Sequence, residues 1–402
     1  MVTKRSVLKF GGTSVADFEK IKNIGNYLKD RVNNDEQLVV VVSAMGKTTD
    51  VLLENVGMLS AKPNEENLAL LLTTGEQQTI SYLAIVLHEL GVSVKALTGF
   101  QAGIKTMGHH MKSKIQDIEA EVLNRNFESH DVLVVAGFQG INERGEITTL
   151  GRGGSDTTAV AIASALAAPC EIYTDVAGVY STDPRLYPAA KRLDVVSFEE
   201  MMEMSALGAG VLETRSVEIA KNYNIPIYLG KTLSDEKGTW IMPKENILEK
   251  KAVTGVALDK DMNYVTLSYP MYDRNLLEEL FIRLEQGEIN VDMISQIVNS
   301  DGLQLSFTMK DTDVNQINEI FSGLIGRFPS LVYNVEENYV KVSVIGSGMR
   351  DMSGVASKVF MTLLNHNINF YQVTTSEISI SYVVNHENGQ LAVEQLCQAF
   401  EL

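Results

Sequence analysis

Cysteine is almost absent. Cys170 and Cys397 are the only two among 402 residues, and their wide separation argues against a disulfide framework. A reduced, cytoplasmic protein is expected from that usage. Long apolar runs are missing as well: no stretch suffices to span a bilayer, and the segment from Met1 to Lys20 lacks the apolar core of a signal peptide. Positive charge is scarce, with 34 Lys and Arg against 51 Asp and Glu and a formal net charge of −17. Such a field repels nucleic acid and anionic membranes, so neither partner is expected. An anionic substrate is still allowed, provided its site supplies local cations and backbone donors. What is present is apolar bulk, 45% of residues against 21% charged, enough at this length for two or three domains with their own cores.

Residues 1–245 alternate strand-like and helix-like segments. Ser6–Phe10 reads as a strand, and Asp17 as an N-cap before Phe18, Ile21, Ile24, Leu28 and Val32 at helical spacing. Leu38–Val42, Asp131–Ala136, Cys170–Thr174 and Ile225–Leu229 are apolar runs of the kind buried on both faces of a parallel sheet. Strands separated by long helical stretches imply βαβ crossovers, with ligands at the carboxyl ends of the strands. After Pro243 a weak internal repeat begins. Tyr264–Ser268 resembles Tyr339–Ser343, Ile289–Val291 resembles Ile368–Phe370, and Leu303–Phe307 resembles Ile378–Tyr382. Each unit reads strand, helix, strand, turn, strand, which suggests pseudo-symmetric pairing.

Four glycine-marked or hydroxyl-rich turns carry the chemistry. Lys9-Phe10-Gly11-Gly12-Thr13-Ser14 leaves a strand and enters a helix, where backbone N–H groups and a helix N-terminus suit phosphate. Ser43–Asp50 contains Gly46-Lys47-Thr48, and Gly230-Lys231-Thr232 occurs later. Neither is a P-loop, since Val41 and Ile225 stand where the motif wants glycine. Gly151–Thr158 combines a glycine nest, Arg152 and three hydroxyls at a helix start, a strong anion site. Thr174–Arg185 packs hydroxyls, Tyr180 and acids into a loop suited to a nucleoside, with Arg185 for phosphate. His109 and His110 have no acid or cysteine at ligand spacing, so no metal site is expected there. Met201–Met204 is expected in a helix core, and Glu65-Glu66 and Glu336-Glu337 on solvated faces.

In order along the chain, Lys9–Ser14, Gly75-Glu76, Leu150–Thr158, Thr174–Arg185, Val291–Gln296 and Gly346–Ala356 resemble the motifs of the aspartate kinase family, a branch of the amino acid kinases. The resemblance implies an α/β fold: a carbamate-kinase-like three-layer sandwich with an eight-stranded sheet, followed by two βαββ-type ACT (ferredoxin-like) domains. The catalytic domain would span 1–245, the first ACT domain 264–335, and the second 250–263 plus 336–402. The implied activity is ATP-dependent phosphorylation of the aspartate β-carboxylate, with Mg²⁺, as the first step toward lysine, threonine and methionine. Lys9, Phe10, Gly11 and Gly12 would contact the transferring phosphates. Ser43, Thr49, Glu76, Arg152 and Ser155 would form the aspartate pocket, with Glu76 on the α-amino group and Arg152 on a carboxylate. Asp156 would orient the cations around the γ-phosphate, and Thr174, Asp175, Tyr180 and Arg185 would hold the nucleotide. Where the family carries a phosphate-contacting lysine, this chain has Gly210. Lys231 is then the first candidate to replace it and Arg215 the second.

A carboxylate nucleophile with an ordinary pKa of about 3.9 is ionised at neutral pH and needs no general base, which suits the lack of an obvious catalytic histidine. Two other readings stay open on the residues: a kinase of the same fold acting on glutamate, acetylglutamate or a nucleotide, and a silent amino-acid sensor suggested by Gly210. The family also implies a homodimer, or a dimer of dimers, through the ACT domains. Lysine, or else threonine, would bind as an effector at Met293, Ile294, Ser295 and Gln296 with Met349, Asp351, Ser353 and Val355.

Overall fold

The computed structural model describes residues 4–243, 251–349 and 352–402. They form two compact units, one of Met1–Val179, Arg192–Ser205 and Gly210–Glu249, the other of Tyr180–Lys191, Ala206–Ala209 and Lys250–Leu402.

The first unit opens with β1 (Lys4–Phe10), α1 (Phe18–Asn33), β2 (Glu36–Val42), α2 (Thr48–Gly57), α3 (Glu65–Leu72) and α4 (Thr74–Glu89). Next come β3 (Val94–Leu97), β4 (Ile104–Met107), β5 (Lys114–Ile118), α5 (Ala120–Phe127), β6 (Val132–Ala136), β7 (Gln139–Ile141) and β8 (Ile147–Thr149). It closes with α6 (Gly154–Leu166), β9 (Cys170–Thr174), β10 (Val195–Ser197), α7 (Phe198–Met204), α8 (Thr214–Tyr223), β11 (Ile227–Lys231) and β12 (Thr239–Met242). An eight-stranded sheet runs β10-β12-β11-β9-β1-β2-β6-β3. Only the β11–β12 pair is antiparallel.

Both faces of this sheet are dry, so its central strands read as unbroken Val and Leu. Leu8, Phe10, Leu38, Val40, Val42, Val132 and Val134 share a core with Ile21, Ile24 and Leu28 of α1 and Ile80, Leu83 and Leu87 of α4. The alternate residues Val7, Val39, Val41, Leu133 and Val135 are equally buried, and α6 packs on β1 and β2. Asp17 caps α1, its carboxylate accepting from the Lys20 N–H at 2.8 Å. Met201 and Met204 are buried on α7, as expected of a helix core. A second sheet, β5-β4-β7-β8, has strands too short to give a periodic signal in the sequence.

In the second unit, β13 (Gly255–Asp259) is followed by β14 (Met262–Tyr269), α9 (Arg274–Gln286), β15 (Val291–Asn299), β16 (Gly302–Lys310), α10 (Val314–Ile325) and β17 (Val332–Glu336). Then come β18 (Tyr339–Ile345), α11 (Val355–Asn365), β19 (Phe370–Thr375), β20 (Ser379–Asn385) and α12 (Gly389–Phe400). Two four-stranded antiparallel sheets result, β15-β16-β14-β17 and β13-β18-β20-β19. Each buries one face beneath its own helices. The second sheet takes its edge strand β13 from before the first, so the repeat in the sequence is not a simple tandem. Met262, Tyr264, Met293 and Val383 join the two sheets in a small apolar cluster.

Candidate active site

Strand register places the motif turns along one rim of the large sheet. Phe10 pairs with Val42 and with Tyr173, Val42 with Ala136, and Lys231 with Thr174. The turns that leave β1, β2, β6, β9 and β11 therefore emerge side by side, at the carboxyl ends where such sheets bind ligands. Backbone bonds fasten them together. Ser43 N–H donates to Phe10 O (3.2 Å), Gly46 N–H to Gly12 O (3.0 Å), Gly137 N–H to Val42 O (3.0 Å) and Thr232 N–H to Thr174 O (2.9 Å). Ser14 and Thr232 bridge the β1 and β11 turns through their hydroxyls at 2.6 Å. A Cβ on Gly12 would come within 2.9 Å of the Ala44 carbonyl, so glycine is what lets the first two turns approach.

Lys9, the penultimate residue of β1, points its ammonium at Asp156 in the first turn of α6, 2.5 Å from Oδ1. Both side chains are nearly buried. The pair puts a positive group over Gly11, whose Cβ would lie 3.5 Å from Nζ. Gly151 (φ 78°) and Gly153 (φ 64°) take left-handed conformations before α6, turning successive N–H groups toward one side as an anion nest does. No side chain fits at Gly153, where a Cβ would press on Glu213. Ser155 is buried against Gly137 at the β6 rim. The Arg152 side chain is exposed, with no hydrogen bond or ion pair among the described residues.

Glu76, in the first turn of α4, is the most unusual carboxyl of the rim. It is 3% exposed, and Oε1 accepts from the Ala44 N–H at 3.1 Å. Oε2 is buried with no hydrogen-bond partner. Burial pushes the carboxyl from its ordinary 4.5 up to about 7, against the pull of backbone N–H donors. Ser43, in the same turn as Ala44, and Thr49, in the first turn of α2, are half-buried. Gln139 donates to the Thr73 carbonyl at 3.1 Å and so anchors the start of α4. Sequence spacing marks neither the Ala44 N–H as a partner for Glu76 nor Gln139 as part of a site, because these contacts are made by backbone or across long separations.

Lys231 ends β11 beside Thr174, half exposed and 3.5 Å from Glu236. Arg215 lies behind the 151–154 turn. Its guanidinium donates to the carbonyls of Ser113 (3.0 Å) and Leu150 (3.3 Å), bracing the strand that enters the nest. Gly210 has φ 40°, a conformation costing a lysine about 1 kcal/mol. Thr174 and Asp175 belong to the first unit, while Tyr180 and Arg185 belong to the second. There Ser181 O accepts from Val256 N–H, and Asp183 accepts from Nε and Nη2 along one edge of the Arg185 guanidinium. One expectation is corrected: His110 does have acidic neighbours, Glu146 at 3.1 Å and Glu66 close by. They come from distant parts of the sequence, which spacing cannot reveal.

Of the expected effector residues, Met293 to Gln296 lie on β15 at a bulge between Asp292 and Ser295. Met293 is itself left-handed there, φ 48°. Met349 packs partly on the core of the second small sheet, Ser353 is exposed, and Val355 opens α11. Asp351 lies outside the described residues. Asp292 is engaged by the nearly buried Lys341 at 2.6 Å. Burial alone would raise the Asp292 carboxyl, but Lys341 holds it below the ordinary range. A groove of about 500 Å³ opens on the free face of the first small sheet. Ser295, Ser306, Asn334 and Gln372 line it, and the Gln372 amide nitrogen has no hydrogen-bond partner.

Comparison with known proteins settles the kinship. Residues 4–231 match the amino acid kinase family and residues 342–400 an ACT domain. The aspartokinase of Bacillus sp. (strain MGA3) is 44% identical over 98% of this chain and 97% of its own length. The chain belongs to the aspartokinases. Two solved aspartokinase III structures from E. coli share the fold. The R-state complex with aspartate and ADP has a TM-score of 0.81 at 25% identity, covering 99% of this chain and 100% of that one. The T-state complex with lysine and aspartate has 0.76 at 26%, covering 98% and 99%. An aspartokinase is an ATP-using phosphotransferase, and the alternatives of another acceptor or a silent sensor are not favoured. No helix among the described residues is long and apolar enough to cross a membrane.

Proposed function

We propose that this aspartokinase moves the γ-phosphoryl group of ATP onto the aspartate β-carboxylate along the rim of β1, β2, β6 and β9. The observation that carries this is the Lys9 ammonium, ion-paired with Asp156, set on the same rim as a buried glutamate with an unpartnered oxygen. Glu76 Oε2 takes the substrate ammonium, Arg152 and Ser155 take carboxylate oxygens, and Ser43 and Thr49 line the pocket. Lys9, the Gly11-Gly12 turn and the 151–154 nest hold the phosphates, with Thr174, Asp175 and Lys231 on the nucleotide side. ATP enters as its Mg²⁺ complex. That suits a rim whose central lysine is already half-neutralised by Asp156, since the charge of the tail is then balanced by the ion the substrate brings. Transfer needs in-line placement and charge stabilisation, and the nucleophile arrives ionised. Trapping the acyl phosphate with hydroxylamine tests the assignment: aspartate must be the best acceptor, and a preference for glutamate or acetylglutamate would overturn it.

Control by an amino acid is the second part of the proposal. Lysine, with threonine as the alternative, would bind around Met293–Gln296 with Met349, Ser353 and Val355, and chains would pair through the ACT sheets. Support comes from the strained Met293, since backbone strain of this kind gathers at switch sites. Exposed Ile294, Ile297, Val298 and Val332 on the first sheet support the pairing. Sedimentation of the full chain should give a dimer or larger; a monomer at micromolar concentration would refute the pairing.

A further inference from the structure

We propose that Glu66, His110 and Glu146 bind one divalent transition cation of the zinc type, away from the residues assigned to phosphoryl transfer. The three side chains converge from three elements: the first turn of α3, the turn between β4 and β5, and the hairpin between β7 and β8. One ligand atom from each lies within 4.8 Å of the other two. His110 Nε2 and Glu146 Oε2 are 3.1 Å apart. That contact is a direct hydrogen bond; two ligands held about 2.0–2.1 Å from a tetrahedral ion stand roughly 3.4 Å from each other, so an ion replacing the shared proton would need the pair to part by only a few tenths of an ångström.

The surroundings fix the donors in place. Thr149 N–H donates to the His110 carbonyl at 2.7 Å. The Asn142 amide braces Glu146 Oε2 at 2.8 Å, and its carbonyl accepts from the N–H groups of Arg144 and Glu146. Partners of this kind orient metal ligands before the ion arrives. Charge points the same way. Two carboxylates meet on a chain of net charge −17, and among the described residues neither forms an ion pair with lysine or arginine. Arg144 acts on Glu146 only through space, and the Glu66 side chain has no hydrogen-bond partner among the described residues. One imidazole with two carboxylates is a borderline donor set. It suits Zn²⁺, Co²⁺ or Ni²⁺ and not Mg²⁺, which prefers an octahedron of oxygens. His110 and Glu146 are about a quarter exposed, 24% and 25%, leaving room for a water to complete the shell. A bound ion would tie α3 and the β4–β5 turn to the hairpin whose last strand leads into the 151–154 nest.

The test uses tag-free full-length protein, stripped with a chelator and free of nucleotide. Zn²⁺ is titrated by calorimetry and Co²⁺ by its visible spectrum. The expected result is one equivalent bound with micromolar or tighter affinity, d–d bands of a four- or five-coordinate ion, and no displacement by millimolar Mg²⁺. His110→Ala and Glu146→Gln should abolish binding, and Glu66→Gln should weaken it. His109→Ala should leave it unchanged, and turnover with Mg²⁺-ATP in the absence of added Zn²⁺ or Co²⁺ should be normal in all four variants. Absence of Co²⁺ and Zn²⁺ binding in this range, equal binding by His110→Ala, or displacement by Mg²⁺ would each overturn the proposal.

Discussion

Replacing Glu76 by glutamine should make the catalytic unit more stable and the enzyme inactive. In the native state the carboxyl titrates near 7, against 4.5 in an exposed chain. Between those values the folded protein holds a proton that the unfolded chain has released, so stability falls as pH rises through that window. Above both values the whole cost is present, about 3 kcal/mol from the difference of the two. Glutamine is neutral throughout. Glu76→Gln should therefore match the parent near pH 4.5 and exceed it by about 3 kcal/mol at pH 8. Trp240, the single tryptophan, lies on β12 of the same unit, so urea titrations followed by its fluorescence report the relevant transition. Aspartate binding should vanish in the variant, because the substrate ammonium loses its ionised partner. In the parent, aspartate binding near neutral pH should release a proton, measurable as a buffer-dependent binding enthalpy. Equal pH dependence of stability in parent and variant would refute the reasoning.

Three further outcomes follow from the geometry. Lys9→Ala should cut turnover about 100-fold while aspartate KM changes little, because its charge acts mainly on the transferring phosphoryl group; initial-rate kinetics with both substrates decide it. Lys231→Ala should raise the KM for ATP, whereas Arg215→Ala, losing the brace under Leu150, should raise the KM for aspartate instead. Both variants behaving like the parent would remove both residues from the site. Lysine should inhibit at subsaturating aspartate, and Asp292→Asn, which breaks the ion pair with Lys341 beside the Met293 bulge, should relieve that inhibition severalfold while uninhibited turnover stays intact. Titration of lysine and threonine, singly and together, tests this.

The large sheet was legible because each central strand is apolar on both faces, and the turns after Phe10, Val42 and Thr174 carry their own glycine or hydroxyl signals. Strand β11 runs two residues later than its apolar run suggests, Ile227–Lys231 rather than Ile225–Leu229, because Pro226 has no N–H to give the ladder. What stayed hidden depends on tertiary approach. Glu76 was expected near the substrate ammonium, yet its burial and the donation from Ala44 appear only once α4 is folded onto the β2 turn. The contacts of Arg215 with the Ser113 and Leu150 carbonyls join residues far apart in sequence, so spacing could not reveal them. Lys341 and Asp292 gave no sign in the sequence that they would pair.

The order of strands in the second unit bears on synthesis. Strand β13 is translated first, yet among the described residues the one strand it pairs with is β18, which appears after every strand of the other small sheet. The nascent chain must therefore hold Gly255–Asp259 unpaired while residues 262–336 complete a sheet of their own from contiguous sequence. Topologically that sheet is an insert whose two ends leave through neighbouring strands, β13 and β18. A chain with residues 262–336 replaced by a short linker would retain every hydrogen-bonded strand pair of β13-β18-β20-β19, so the insert can be exchanged or lost as a cassette without breaking the ladder that hosts it.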